Sequence, residues 1–281
     1  MNEYLTAIIN GFGLNNPATG TTISADIVGL DTPPIRTSQG VLSGTDGGYI
    51  GAQNYGPRNI AISGTIATRS PADTAALCRA LQVATPIRTD LPLEVVTVDG
   101  RNVITTTRLI KLDMPLSPNP LVARFNLELV APDPLLYDGS ASGLNSVAIS
   151  PARGGGVRWP MRWKPLWKGG TVPVTATNNG TVVIYPVATL TGSMTNPILT
   201  NLTTGEFIKL DAFSTAAGSQ VVIDMAQHTV SVDGGSAYRF LSADSRWIGL
   251  VPGNNALRLN TGSGSDTVTG VVEWRTGYLS L

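Results

Sequence analysis

The sequence predicts an all-β-dominated protein of two domains with a single α-helix. Three observations carry that prediction. Thirty-one glycines and 19 prolines punctuate brief apolar runs at short intervals, the pattern of many strands joined by tight turns. Most of those runs alternate apolar and polar residues, the period of a half-buried strand. Only one stretch repeats at helical spacing.

The elements follow in chain order. In "NIAISGTIATR", Ile60, Ile62 and Ile66 share one strand face, with Gly64 as a candidate bulge. The helix comes next, in "SPADTAALCRALQ". Ser70 is suited to cap it, Pro71 fits the first helical position and Asp73 favours the positive end. Its apolar stripe is expected from Ala76, Leu77, Ala80 and Leu81, with Cys78 packed beside it and the end falling before Pro86. Two β-rich runs, "LPLEVVTVDG" and "RNVITTTRLIKL", meet at Asp99–Gly100, a strong hairpin signal. "LVARFNLELVAPDP" then alternates Ala123, Phe125, Leu127 and Leu129 against Val122, Arg124, Asn126 and Glu128. The alternation stops at "APDPLLYDGSASG", where prolines, glycine and serine mark a boundary. The expected domains are 1–135 and 136–281, the second able to fold alone from about residue 145.

The second half is strand after strand: "TVPVTAT", "VVIYPVATLTG", "EFIKLDAF", "QVVIDM", "HTVSVDGG", "RWIGLVPG", "ALRLN" and "GVVEWRTGYL". Eight or more short strands with intervening turns predict a β-sandwich or jelly roll. Such a fold hides its apolar faces between two sheets and needs no disulfide, which matters in a chain with the single cysteine Cys78.

Composition bounds function. Nineteen basic and 19 acidic residues balance to zero formal charge, and charged residues are 14% of the chain. A neutral chain offers no field to attract polyanions, which argues against a dedicated nucleic-acid binder. One cysteine and one histidine, His228, cannot build a Cys-based zinc site or a redundant catalytic constellation. No enzyme activity and no cofactor is expected. Asp211, Asp224 and Asp233 lack clustered calcium-ligand spacing, and His228 is expected in a solvated turn. The glycine runs "GTDGGYIG" and "GGG" lack the strand–turn–helix setting of a phosphate loop and read as flexible loops. The opening residues do not form a signal peptide, and no run nears the roughly 18 apolar residues of a membrane span; synthesis in a cytoplasm follows.

The stretch "GGGVRWPMRWKPLWKGG" holds three of five tryptophans beside four cations. Trp159, Trp163 and Trp167 alternate with Arg158, Arg162, Lys164 and Lys168. Period two reads first as a strand that buries its indoles, at an edge or bent because Pro160 and Pro165 donate no ladder bonds. The second reading is an exposed row that stacks on sugar rings or anchors an interface.

The second half resembles the distal tail protein (Dit) family of long-tailed non-contractile bacteriophages. Five features carry the resemblance before the last: the turn Asn178–Gly180, Tyr185-Pro186, the step Asn196-Pro197, Thr204-Gly205 and Ile223-Asp224. The last is a signature of Trp247, Leu250, Pro252, Gly253 and Asn255. The resemblance implies a tail-tube-like first domain and a galectin-like second one. It implies a homo-hexameric ring at the tail tip of the virion, linking the tail tube protein to a tail-associated hub protein and receptor-binding proteins. Tape-measure protein and then DNA pass through the lumen without specific binding, and nothing inserts in a membrane. The hairpin at Asp99–Gly100 is the expected arm to a neighbouring subunit. The alternative is a lectin-like module that grips host cell-wall glycans.

Overall fold

The computed structural model describes residues 6–151, 173–263 and 266–281. The chain divides into two compact units, one of Met1–Ser140 with Tyr278–Leu281 and one of Ala141–Gly277. A β-dominated architecture with one α-helix among the described residues is what the structure shows.

The first unit is built on one curled antiparallel sheet. Its strands run in the order Phe12–Gly13, Thr6–Ile9, Leu91–Val96, Asn102–Asp113, Val122–Ala131, Arg58–Ala67 and Thr21–Ile23. The two end strands are neighbours in sequence, and the stretch between them ties them together: Asn16 bridges Thr21, whose Oγ1 donates to the Gly13 carbonyl at 2.9 Å. Strand Asn102–Asp113 turns the corner. It pairs with Leu91–Val96 up to Thr107, then with Val122–Ala131 from Arg108, and a bulge between Leu109 and Lys111 marks the bend. Buried Ile9, Ile60, Ile62, Leu81, Leu93, Phe125 and Leu127 fill the inside of the curl.

The bulge was expected at Gly64, and the structure moves it. Gly64 pairs in continuous register with Phe125 on one side and Ile23 on the other. It is glycine because the Phe125 ring lies across it: a Cβ there would stand 2.3 Å from Cζ of Phe125 and 2.6 Å from the Thr22 carbonyl. Overpacking of this kind is resolved only by backbone or ring movement. Gly64→Ala is therefore expected to cost about 2–3 kcal/mol, and the cost should shrink in a Phe125→Leu background. Urea unfolding of the two single variants and the double variant measures it; equal costs in both backgrounds would show that the ring is not the cause.

The helix spans Pro71–Ala84. Ser70 Oγ accepts from the Ala72 amide at 3.2 Å, and Thr85 closes the other end through its amide to the Leu81 carbonyl, 3.1 Å. The buried stripe is Thr74, Leu77, Cys78 and Leu81 rather than the alanines; Ala76 and Ala80 face out. Thr74 earns its burial by hydrogen bonding to Thr68 Oγ1 at 2.7 Å and to the Leu121 carbonyl at 3.2 Å, which a sequence pattern of apolar letters misses. Burial also pushes the Cys78 thiol up.

The second unit is a β-sandwich. One sheet orders Leu144–Ile149, Thr269–Arg275, Val187–Thr191, Gln220–Asp224, Thr229–Val232 and Gly235–Ser236; the other orders Val174–Asn178, Gly253–Asn260, Ile198–Asn201 and Phe207–Lys209. Leu190, Val221, Ile223, Val272 and Trp274 from the first face meet Ala176, Leu199, Ile208, Leu257 and Leu259 from the second. "RWIGLVPG" forms no regular strand. It touches its neighbour through one bridge, Ile184 to Leu250, because Pro252 cannot continue a ladder and buried side chains hold the segment instead.

Candidate assembly surface

The residues singled out from sequence separate into three groups. Trp159, Trp163 and Trp167 lie outside the described residues. Asp99 and Gly100 form the tip of the hairpin between Leu91–Val96 and Asn102–Asp113. Gly100 adopts φ +84°, the Asp99 carboxylate accepts from Thr97 Oγ1, and Arg101 Nε lies 3.1 Å away. The Thr97 hydroxyl, ahead of Arg101, holds the exposed Asp99 carboxyl below the ordinary aspartate range. This tip is a tight, self-satisfied turn. Leu91, Leu93, Val95, Val103, Thr105 and Thr107 behind it are buried in the curled sheet, while Val98 and Ile110 of the same hairpin are exposed.

A different hairpin stands free. Ile35–Val41 pairs with Gly48–Tyr55 as a sheet of two strands. Nearly every residue in it is exposed. The sequence "GTDGGYIG" thus supplies the turn and the start of a strand, not a flexible loop. The available signal was Asp46-Gly47 flanked by Val41 and Ile50, but with no buried face the alternation does not announce itself. The two strands hold their own geometry: Gly40 lies under the Tyr49 ring, with ring carbons 2.6 Å from where a Cβ would be.

In the second unit, two of the motif residues, Asn178 and Asn255, prove to be internal supports together with a third asparagine, Asn201, outside the motif. Asn178, Asn201 and Asn255 are all buried. Asn178 Nδ2 donates to the Val182 and Leu250 carbonyls at 2.8 and 2.9 Å, and its Oδ1 accepts from the Gly180 amide at 2.9 Å. Asn201 Nδ2 donates to the Gly249 carbonyl at 2.9 Å and to Asn255 Oδ1 at 3.2 Å. Asn255 closes the set on both polar groups of Val251, at 3.0 and 2.8 Å. The segment from Trp247 to Pro252 has backbone groups that no ladder satisfies, and three carboxamides serve them together with the Glu206 carboxylate, which accepts from the Gly249 amide at 2.9 Å. His228 sits in its turn at φ +55° with its ring stacked on Trp247, centroids 4.8 Å apart and 10° from parallel. Asp211, Asp224 and Asp233 are each engaged locally: Asp211 with Lys209 at 2.7 Å, Asp224 with the Ala226 and Gln227 amides, and Asp233 with the Gln220 amide.

The supports that sequence reasoning missed altogether centre on Arg58, 1% exposed in the first unit. Its guanidinium donates to four backbone carbonyls: Gly29 at 2.7 Å, Asp31, Pro134 at 2.7 Å and Leu279 at 2.8 Å. Pro134 belongs to the expected linker, in which Leu136 is also buried and Tyr137 donates its hydroxyl to Asp133 at 2.6 Å. Burial, with the Asp133 carboxylate next, pushes the Tyr137 hydroxyl far up.

Comparison with known proteins places these features in a family of similar chains. Residues 179–278 match the family model described as siphovirus-type tail component, C-terminal domain. No curated protein sequence matches the chain. Among solved structures, the chain is similar to the SPP1 Dit protein, described as a paradigm of the hub adsorption apparatus in phages that infect Gram-positive bacteria. The TM-score is 0.67 at 16% identity, covering 96% of this chain and 98% of that one. It is also similar to a chain of the phage p2 baseplate in its activated conformation with strontium, with a TM-score of 0.51, 10% identity, and 97% and 98% covered. The resemblance to the distal tail protein family therefore holds, with a family match over residues 179–278 and a shared fold over nearly the whole chain.

Proposed function

We propose that the chain is a structural distal tail protein: a ring-forming hub at the phage tail tip that joins the tail tube to the adsorption apparatus. The single observation that carries this reading is the coincidence of a siphovirus tail-component domain with a Dit-like fold over 96% of the chain. Six copies of the 29.4 kDa chain make a ring of about 176 kDa. The ring's bore passes tape-measure protein and then DNA. Zero net charge suits such a conduit, since a basic wall would hold DNA by its phosphates. The second unit, galectin-like in this reading, faces outward and positions the hub and receptor-binding proteins. Its sandwich is a scaffold, and a fold of this kind does not by itself bind sugar. The protein's place is the virion tail, after synthesis in the host cytoplasm.

Electron microscopy of native particles labelled with an antibody to this chain tests the proposal. The expected result is label on a six-fold annulus at the tail end. Label on the head, on fibre tips alone, or on no particle overturns it. Glycan binding that is lost on Trp163→Ala would favour the lectin reading instead.

A further inference from the structure

The first unit is completed from far along the chain. Tyr278–Leu281 belongs to it, although the whole of Ala141–Gly277 lies between that segment and Ser140. Nη2 of the buried Arg58 donates to the Leu279 carbonyl at 2.8 Å, beside the bonds to Gly29 and Pro134. The Leu281 amide donates to the Leu30 carbonyl at 3.4 Å, and Leu281 borders the same cleft as Ile23, Ile27 and Leu30. A buried cation left short of an acceptor is costly, and hydrogen bonds to charged groups outweigh neutral ones. Residues 278–281 are thus a strap that the first unit needs, and they are made after the whole of the second.

The second unit decides how readily the strap arrives. Within it, Leu144–Ile149 pairs with the strand Thr269–Arg275, from Leu144 opposite Arg275 to Ile149 opposite Gly270. The Thr276 amide donates to the Gly143 carbonyl at 3.4 Å, and Asn145 Nδ2 donates to the Gly143 carbonyl at 3.0 Å and to Thr276 Oγ1 at 3.2 Å. Folding therefore holds the two ends of the second unit side by side. When that unit is unfolded, the strap docks only by closing a loop that spans all of Ala141–Gly277. Effective concentration falls as about the 3/2 power of loop length, so docking becomes less favourable on the order of 100-fold.

We propose that the folded second unit is a clasp for the first: it delivers residues 278–281 to Arg58, and the first unit reaches full stability only in a chain whose second unit has been made and has folded. In the ring reading, on which this consequence rests, unfinished chains are held back from assembly; the coupling itself is a property of the single chain. Hydrogen exchange on the full-length chain tests it. All five tryptophans lie within Ala141–Gly277, so their fluorescence reports the second unit. The Val28 and Ala61 amides, each bonded to the other's carbonyl at 3.0 Å, report the first unit beside Gly29. Asn201→Leu with Asn255→Leu loosens the second unit. In urea that unfolds it by tryptophan emission, Val28 and Ala61 should exchange at least about 10-fold faster than in the unaltered chain in the same urea. A chain stopped after Gly277 should show the same acceleration with its second unit intact, and the asparagine changes should then add no more than about 2-fold. A first unit that fails to fold in the shortened chain bears out the need for the strap, and the full-length variant then decides the coupling. Unchanged exchange at Val28 and Ala61 in either variant, or an acceleration that persists in full after shortening, overturns the clasp. Microscopy of the particle decides the ring separately.

Discussion

Replacing Arg58 by alanine should lower the stability of the first unit by about 4 kcal/mol, the larger of the two effects expected here. The guanidinium is buried, yet no carboxylate is bonded to it. Its five donors go instead to carbonyl oxygens, with Nε reaching Pro134 at 3.2 Å beside the bonds of the two Nη atoms. Carbonyl dipoles aimed at a cation replace its water shell, and the planar fork meets several of them at once. Burial lowers the Arg58 pKa from its ordinary value, opposed by the charges of Asp31 and Asp133. The guanidinium is the most basic of the side-chain groups and stays ionised through the working range despite that shift. Removal leaves four carbonyls without a donor, each costing roughly 1 to 3 kcal/mol until water enters the gap. Arg58→Lys keeps the charge but offers a compact ammonium with three donors, so it should recover about half of the loss. Thermal unfolding by circular dichroism distinguishes the outcomes. A drop of roughly 10 °C is expected for alanine, whereas a loss below about 1 kcal/mol would show that the carbonyls find other donors. The acceptors come from three separate segments, around Gly29, Pro134 and Leu279. The same variant should therefore speed hydrogen exchange in all three at once.

What could be read from the sequence, and what could not, divides along physical lines. Helix Pro71–Ala84 was legible because its ends are written in local chemistry: Ser70, Pro71 and Asp73 lie within four residues. Strand Arg58–Ala67 was legible because Ile60, Ile62 and Ile66 face one core. The role of Gly64 was not, since glycine inside a strand serves a bulge or a close approach equally well, and the choice depends on Phe125 across the ladder. The bulge itself sits at Ile110, in a run of β-branched and charged residues that carries no local mark. Hairpin Ile35–Tyr55 was illegible for another reason. Strand prediction from pattern needs a contrast between a buried and a wet face, and both faces of this hairpin are exposed. Arg58 and the asparagines escape because charged and amide residues are taken as surface. Only the fold reveals which of them are surrounded. The motif residues Asn178 and Asn255 were visible as letters, yet their reason was not: with Asn201, which no motif marked, they are far apart in sequence and meet around one irregular segment.

That segment carries the second large effect. Asn255→Leu should destabilise the second unit by about 3–4 kcal/mol. Leucine shares asparagine's branched skeleton of four heavy side-chain atoms but is bulkier, so the change removes polar groups and adds some overpacking. Asn255 Oδ1 accepts from the Val251 amide at 3.0 Å and from Asn201 at 3.2 Å, while Nδ2 donates to the Val251 carbonyl at 2.8 Å and the Gly253 carbonyl at 3.1 Å. All four contacts are lost together, and the backbone of Val251 is left with both polar groups unpaired next to the sandwich core. Asn201→Leu should cost somewhat less, because the Thr203 amide it serves lies nearer the surface. The two changes should not add. Once either amide is gone, the bond between them is gone too, so the double variant should fall short of the sum by about 1–2 kcal/mol. A urea denaturation cycle over the four proteins measures that coupling. Strict additivity would mean that each asparagine supports its own backbone and that no shared network exists. Coupling of the expected size would show that a strand asparagine outside the motif and the signature's last residue act as one support. A fluorescence readout at Trp247 adds a local check. The His228 stack lies on that indole, so release of the Trp247–Gly253 segment should shift its emission to the red before the sandwich melts. Loss of emission and of β-sheet signal in one step would show instead that the segment and the sandwich unfold as a single unit.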